Sequence, residues 1–173
     1  MLVSTFTLGE LYLGIDIILV REINRSMECT PVPGAPEYIR GMLNIRGRVI
    51  TLFDLKSRLS WSEDQRTAPP PVLVDSSNTQ RAKQYNVIMK TRNEVAQIDR
   101  DVADARCPWL DPVGLVVDQL GDVRDIVDDT IQPSPANLRG ISADFVHGVV
   151  EFERKLLVIL DVAQVLGIEQ NAA

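Results

Sequence analysis

Residues 35–59 read APEYIRGMLNIRGRVITLFDLKSRL, and residues 142–166 read SADFVHGVVEFERKLLVILDVAQVL. The two stretches align without a gap at a constant spacing of 107 residues (35 to 142, 54 to 161). Identity is confined to Gly41/Gly148, Asp54/Asp161 and Leu59/Leu166, yet 11 of the first stretch's 12 apolar positions meet an apolar residue in the second. Tyr38/Phe145, Ile39/Val146, Ile45/Phe152, Val49/Leu156, Leu52/Ile159 and Leu55/Val162 are among them. Alternating apolar residues on either side of Gly47-Arg48 predict a hairpin. Asp54 and Asp161 then stand before short helical segments, where a carboxylate can accept from orphan backbone amides. Upstream, Pro36 and Gly41 bracket a segment that reads as one helical turn, proline suiting its start and glycine its stop.

A fainter echo precedes each copy: Gly14-Ile15-Asp16-Ile17 running through Val20 to Ile23, and Gly114-Leu115-Val116-Val117 running through Leu120 to Ile126. The 20 Val and 14 Ile of the chain fall mostly in short runs broken by Gly, Pro, Asn and Asp. That pattern predicts strands over 5–8, 11–15, 20–23, 42–46, 49–53, 86–89, 113–117, 123–127, 147–152 and 155–160. Each half then follows one plan of glycine-led strand, second strand, helical turn, hairpin and short helix. Two five-stranded units, each small for an independent core, suggest two barrels side by side, with the groove between them as a place to bind a partner. Ser60 to Gln84 reads as an irregular polar loop, and Asn93 to Pro112 as a loop with at most one helical turn, because Pro108 and Pro112 interrupt its apolar spacing.

Composition narrows the function. The chain has 173 residues, 45% hydrophobic and 24% charged, with a net charge of −6. This is a globular composition and argues against a protein that holds nucleic acid by neutralising phosphates. Cys29 and Cys107 lie far apart with no Cys/His cluster, so neither a disulfide framework nor a zinc site is expected. No apolar run approaches the roughly 18 residues of a membrane span, and the N-terminus lacks a leader pattern, which predicts a cytoplasmic protein without direct membrane insertion.

Catalysis has no candidate constellation. His147 is the lone histidine, and it occupies the repeat position of Arg40. Asp99-Arg100-Asp101 begins like a calcium loop but lacks the turn glycine and final glutamate, so it reads as a solvated acidic segment. Asn24-Arg25-Ser26 fits a glycosylation sequon, a pattern common by chance. No glycine-rich phosphate cradle is present. What stands out is charge inside apolar strands, chiefly Glu22 and Arg46, which suits either an outward sheet face or the rim of a protein-binding surface.

These residues fall in an ordered series: Phe6-Thr7-Leu8-Gly9, Gly14-Ile15-Asp16-Ile17, Val20-x-Glu22-Ile23, Pro33-x-Ala35-Pro36-x-Tyr38-Ile39-x-Gly41 and Asn44-Ile45-Arg46-Gly47-x-Val49-Ile50-x-x-x-Asp54-Leu55. The series resembles the CheW-type chemotaxis coupling proteins, with Val113–Asp118, Val123, Ile131-Gln132-Pro133 and Leu156–Leu166 extending the likeness. Thr51 departs from it, standing where the family often has proline. The resemblance implies a mainly β fold of two intertwined five-stranded SH3-like β-barrels with short helices. It implies one domain over 1–168, with subdomains near 15–85 and 86–155 exchanging terminal strands and a tail at 169–173. It also implies a non-enzymatic adaptor without cofactor or metal, joining the cytoplasmic tips of methyl-accepting chemoreceptors to the regulatory domain of the histidine kinase CheA within receptor arrays.

By that resemblance, Val20, Glu22 and Arg46 bind receptor, Leu120 and Val123 lie near the kinase or affect coupling, and Gly41, Gly47, Asp54, Gly148 and Asp161 are structural. With no receiver domain after residue 166, the chain departs from CheV-type coupling proteins. The alternatives are a coupling protein of a non-flagellar chemosensory pathway, an oligonucleotide-binding barrel and a small β-barrel enzyme. The oligonucleotide reading suits poorly a chain that is 5% aromatic and net negative.

Overall fold

The computed structural model describes residues 1–59, 84–135, 138, 140–152 and 155–167. Of the loop expected over Ser60 to Gln84, residues 60–83 lie outside them, as does the tail 169–173. In chain order the elements are β1 (Leu2–Leu8), β2 (Leu11–Asp16), β3 (Val20–Arg25), β4 (Ile39–Ile45), β5 (Arg48–Asp54), α1 (Leu55–Arg58), β6 (Tyr85–Met89), α2 (Arg92–Ala96) and α3 (Arg100–Arg106). They continue with β7 (Val113–Val117), β8 (Gln119–Asp125), β9 (Val146–Phe152), β10 (Lys155–Leu160) and α4 (Val162–Leu166). The 107-residue register is the structural one: β4 maps onto β9, β5 onto β10 and α1 onto α4.

The strands form two five-stranded sheets, ordered β8-β1-β2-β10-β9 and β3-β6-β7-β5-β4. Position for position the orders match, β3 answering β8, β6 answering β1 and β7 answering β2. The halves are interleaved, because the first sheet takes β1 and β2 from the first half and β8 to β10 from the second. Glycines make the central crossings possible. Gly14 lies opposite Ile159 and Gly114 opposite Leu52 in parallel pairs. A Cβ on Gly14 would come within 2.4 Å of Val3 Cγ1, and one on Gly114 within 2.8 Å of Leu52 Cδ2.

Alternation then sorts side chains into three cores. Inside the first sheet lie Val3, Ile126, Val150, Leu157 and Ile159. Inside the second lie Leu43, Ile50, Leu52, Ile88 and Val116. The opposite faces of the same strands, among them Leu13, Val87, Leu115, Val158 and Leu160, join Leu55, Leu59, Val165 and Leu166 in a shared core. The central strands are thus buried on both faces, which explains their unbroken Val/Ile/Leu runs. Between the two sheets there is packed apolar contact rather than the open groove expected from two adjacent barrels.

Local differences from the sequence reading have physical causes. The stretch before β4 makes a turn at Glu37-Tyr38, closed by Ile39 N–H donating to the Pro36 carbonyl, and Ile39–Gly41 already belong to β4, so no helical turn forms over Ala35–Gly41, whereas its counterpart Ala143–Phe145 is one 3-10 turn. Gly41 and Gly148 do not stop helices. They lie within β4 and β9, each beside a bulge that leaves Arg40 and His147 unpaired in their ladders. A crossing segment explains why they are glycine: Thr30 bridges Met42 and Gln132 bridges Val149. A Cβ at Gly41 would meet the Thr30 carbonyl at 2.5 Å, and one at Gly148 would meet Ile131 Cγ2 at 2.3 Å.

Asn93 to Pro112 is not a loop, since α2 and α3 occupy it and both prolines follow the end of α3. Asp99, part of the apparent calcium loop, is the N-cap of α3, accepting from Val102 N–H at 3.0 Å. Asp54 and Asp161 cap α1 and α4 as expected, accepting from Ser57 and Gln164 N–H at 3.0 and 3.2 Å.

Candidate functional site

The β4–β5 hairpin turns at Arg46-Gly47, one residue earlier than the Gly47-Arg48 reading, because Ile45 pairs with Arg48. Both turn residues have positive φ, 52° and 81°, as a two-residue type I′ turn demands. Asn44 Oδ1 accepts from Gly47 N–H at 3.0 Å and holds the turn shut. Arginine pays a steric penalty for this backbone, and its side chain projects from the tip, 82% exposed. Its Nη1 lies 3.7 Å from Glu22 Oε2 on β3. Since β3 and β4 are opposite edges of one sheet, this contact curls the sheet toward closure.

The start of β3 is firmly anchored. Asp16 accepts from Ile18 N–H at 3.1 Å and from Arg106 Nη1 at 2.6 Å, while Lys90 Nζ donates to the Ile18 carbonyl at 2.9 Å. Val20, next in line, is half-buried against the shared core. A β-bulge follows, Val20 facing Met89 and Glu22 facing Ile88, so that Arg21 is the extra residue. Val20, Glu22 and Arg46 therefore gather at one end of the second barrel.

The other two sequence-marked residues lie in the repeat-equivalent place on the first barrel. β8 is an edge strand like β3 and also carries a bulge, Ser4 facing Val123 and Phe6 facing Leu120. Thr5 Oγ1 donates to the Asp122 carbonyl in the bulge at 2.6 Å. Leu120 and Val123 flank it with 40% and 51% of their surface exposed. Closure here is by a cation over a ring, Arg124 standing 4.6 Å from the Phe152 centroid at the end of β9. The edge thus exposes two apolar side chains, Leu120 and Val123, on either side of Asp122, with Asp125 at its end.

At the centre, Arg58 sits between two repeat equivalents, 4.6 Å from the Tyr38 ring and 5.1 Å from the Phe145 ring, and donates to the Val165 carbonyl at 2.5 Å. It ties the two halves together. His147 lines a cavity of about 310 Å³ with Arg106, Asp161 and Gln164. Its counterpart Arg40 donates to Asp54 at 3.2 Å. No hydroxyl or thiol is among the described residues of that cavity. Cys107, fully buried, has its thiol pushed up to about 12 by burial, the nearby Arg92 lowering it and Glu94 raising it.

The sequence reading missed Glu94. Its Oε2 accepts from Thr91 N–H at 2.8 Å at the start of α2, and its Oε1 accepts from Arg21 Nη1 at 2.9 Å and Arg48 Nη1 at 3.0 Å. The signal was present as Thr91-x-x-Glu94, the spacing of a capping box.

Comparison with known proteins agrees with this architecture. The CheW-like domain model matches residues 3–170. The chemotaxis protein CheW of Treponema pallidum is 28% identical over 158 residues, covering 91% of this chain and 77% of that one. The chemotaxis protein CheW of Rhizobium meliloti is 29% identical over 168 residues, covering 97% and 88%. Among solved structures, the scaffolding protein TtCheW from Thermoanaerobacter tengcongensis superposes with a TM-score of 0.69 at 24% identity, over 99% of this chain and 90% of that one, and shares the fold of two SH3-like barrels. With two five-stranded sheets in matching order among the described residues and a family match spanning nearly its whole length, the chain belongs to the CheW-like domain family.

Proposed function

We propose that this protein is a non-enzymatic adaptor of bacterial chemosensory signalling that couples chemoreceptors to the histidine kinase CheA. The observation that carries the reading is the family match over residues 3–170. Two separate edges support it, since an adaptor needs two surfaces: one presents the exposed Arg46 beside Glu22, the other the exposed apolar Leu120 and Val123. The charged end of the second barrel, with Val20, Glu22 and Arg46, takes the cytoplasmic tip of a methyl-accepting receptor. The β8 edge, with exposed Leu120 and Val123, serves the regulatory domain of the kinase. Charged groups at the first surface favour orientation and fast encounter, and apolar groups at the second favour affinity. Among the described residues no helix is long and apolar enough to cross a membrane, so placement in a receptor array comes through the partners.

The test is a three-component assay of purified chain, kinase and receptor cytoplasmic fragment. Kinase activity should respond to receptor only when the chain is present. Equal receptor control without the chain would overturn the reading.

A further inference from the structure

Glu94 is a carboxylate shared by two strands and a helix. Its Oε1 lies 2.9 Å from Arg21 Nη1 on β3 and 3.0 Å from Arg48 Nη1 on β5. Its Oε2 holds the first turn of α2 through Thr91 N–H at 2.8 Å and the Thr91 hydroxyl at 3.1 Å. Arg21 is the bulge residue between Val20 and Glu22, and Arg48 directly follows the Arg46-Gly47 turn. The two strands that present Glu22 and Arg46 are thus tethered, one residue away in β3 and two in the hairpin, to one fixed oxygen. Charge-assisted hydrogen bonds of this length are the strong kind, and the side chains here are only 30–37% exposed.

We infer that Glu94 is a positioning residue that sets how Glu22 and Arg46 are presented, an inference that rests on the receptor reading of that surface. The mechanism is competition among cations. Three guanidinium groups, those of Arg21, Arg46 and Arg48, share two carboxylates, Glu22 and Glu94. With Glu94 in place, Arg21 and Arg48 are engaged away from Glu22, whose Oε1 accepts from Asn24 Nδ2 at 3.4 Å and whose Oε2 faces Arg46 at 3.7 Å. Without that charge, Arg21 and Arg48 turn to Glu22, and Arg46 loses its partner along with the hairpin's tether.

Glu94→Gln is the informative change, since glutamine can still accept from Thr91 N–H while its charge is gone. Arg48→Gln cuts the hairpin tether and leaves the helix cap untouched. Titration of a receptor cytoplasmic fragment should show roughly three- to tenfold weaker binding for each, with unchanged affinity for the kinase regulatory domain. Amide NMR shifts should move at both Glu22 and Arg46, and combining Glu94→Gln with Arg46→Gly should weaken binding by less than the sum of the two single losses, since part of the Glu94→Gln effect runs through Arg46. Unmoved amides at Glu22 and Arg46, or fully additive losses, would overturn the inference. Moved amides with receptor affinity unchanged in all variants would leave Glu94 as the positioner of this pair and reject the receptor reading of the surface instead.

Discussion

The two barrels close at the same place by different means. In the second, β3 meets the β4–β5 turn through the Glu22–Arg46 pair and the Glu94 network, whereas in the first, β8 meets the end of β9 through Arg124 over Phe152. Backbone devices are shared: both edge strands are bulged, both hairpins carry a bulge at the repeat-equivalent Arg40 and His147, and both short helices are capped by aspartate. Side-chain exposure at the edges is not shared: the apolar Val20 and Ile23 of β3 are half-buried, whereas Leu120 and Val123 of β8 are exposed. A duplicated fold can therefore hold one scaffold constant while its two ends diverge. The interiors differ too. Val3 fills the inner core of the first barrel where the ladder register places Asn86 in the second, opposite Asp16 and Val116 respectively.

The comparison breaks most visibly in the matched inner cores. Leu52 and Ile159 are 1% and 0% exposed at equivalent positions, and truncating either to alanine should cost roughly 2–5 kcal/mol. Because a shared core joins both sheets, urea melts followed by probes in each half should show one transition for each variant. Two separated transitions would mean independent barrels. The next effect separates the two crossing points. Gly41→Ala faces the Thr30 backbone carbonyl at 2.5 Å with φ at 150°, while Gly148→Ala meets the Ile131 Cγ2 methyl at 2.3 Å and the Gln132 carbonyl at 3.1 Å without a positive φ. Both should destabilise in the range of about 1–3 kcal/mol, Gly41→Ala the more, and equal denaturation midpoints would contradict the crossing geometry.

A smaller effect of opposite sign is expected at Asn86, which is fully buried with neither side-chain atom bonded among the described residues. Asn86→Val should stabilise by about 1 kcal/mol in the same melts by removing an unsatisfied amide. The thiols give a contrast without a large energy. At pH 8 a disulfide reagent should label half-buried Cys29 and spare Cys107 until the chain is unfolded. Burial favours the protonated Cys107 in the folded state, so its contribution to stability holds below pH 9.0 and is lost as pH rises through about 12.

Much of this architecture was legible because strands buried on both faces leave dense Val/Ile/Leu runs, and because the 107-residue register pairs Asp54 with Asp161 and Leu52 with Ile159. Legibility failed where one extra residue shifts the alternation. The bulge at Gly121-Asp122 hid the first half of β8, and those at Arg40 and His147 made Gly41 and Gly148 read as helix stops. Arg46 was misplaced by one position because arginine is a poor residue for positive φ. Pro108 and Pro112 suggested a broken helix, although α3 ends before either. Of the surface residues, Glu22 and Arg46 announced themselves as charges in apolar strands, while Glu94 showed only its capping-box spacing from Thr91, since its arginine partners are remote in sequence and only the folded sheet brings Arg21 and Arg48 together.

The central claim is that the two barrel ends serve two partners, and the direct measurement is paired titration of receptor fragment and kinase regulatory domain against two variants. Arg46→Gly keeps a turn that glycine fits without strain, and Leu120→Ser with Val123→Ser removes the exposed apolar side chains of β8. Arg46→Gly should weaken receptor binding by roughly 1–3 kcal/mol and leave kinase binding unchanged, and the β8 variant should do the reverse. Equal losses of one and the same partner in both variants would contradict the account.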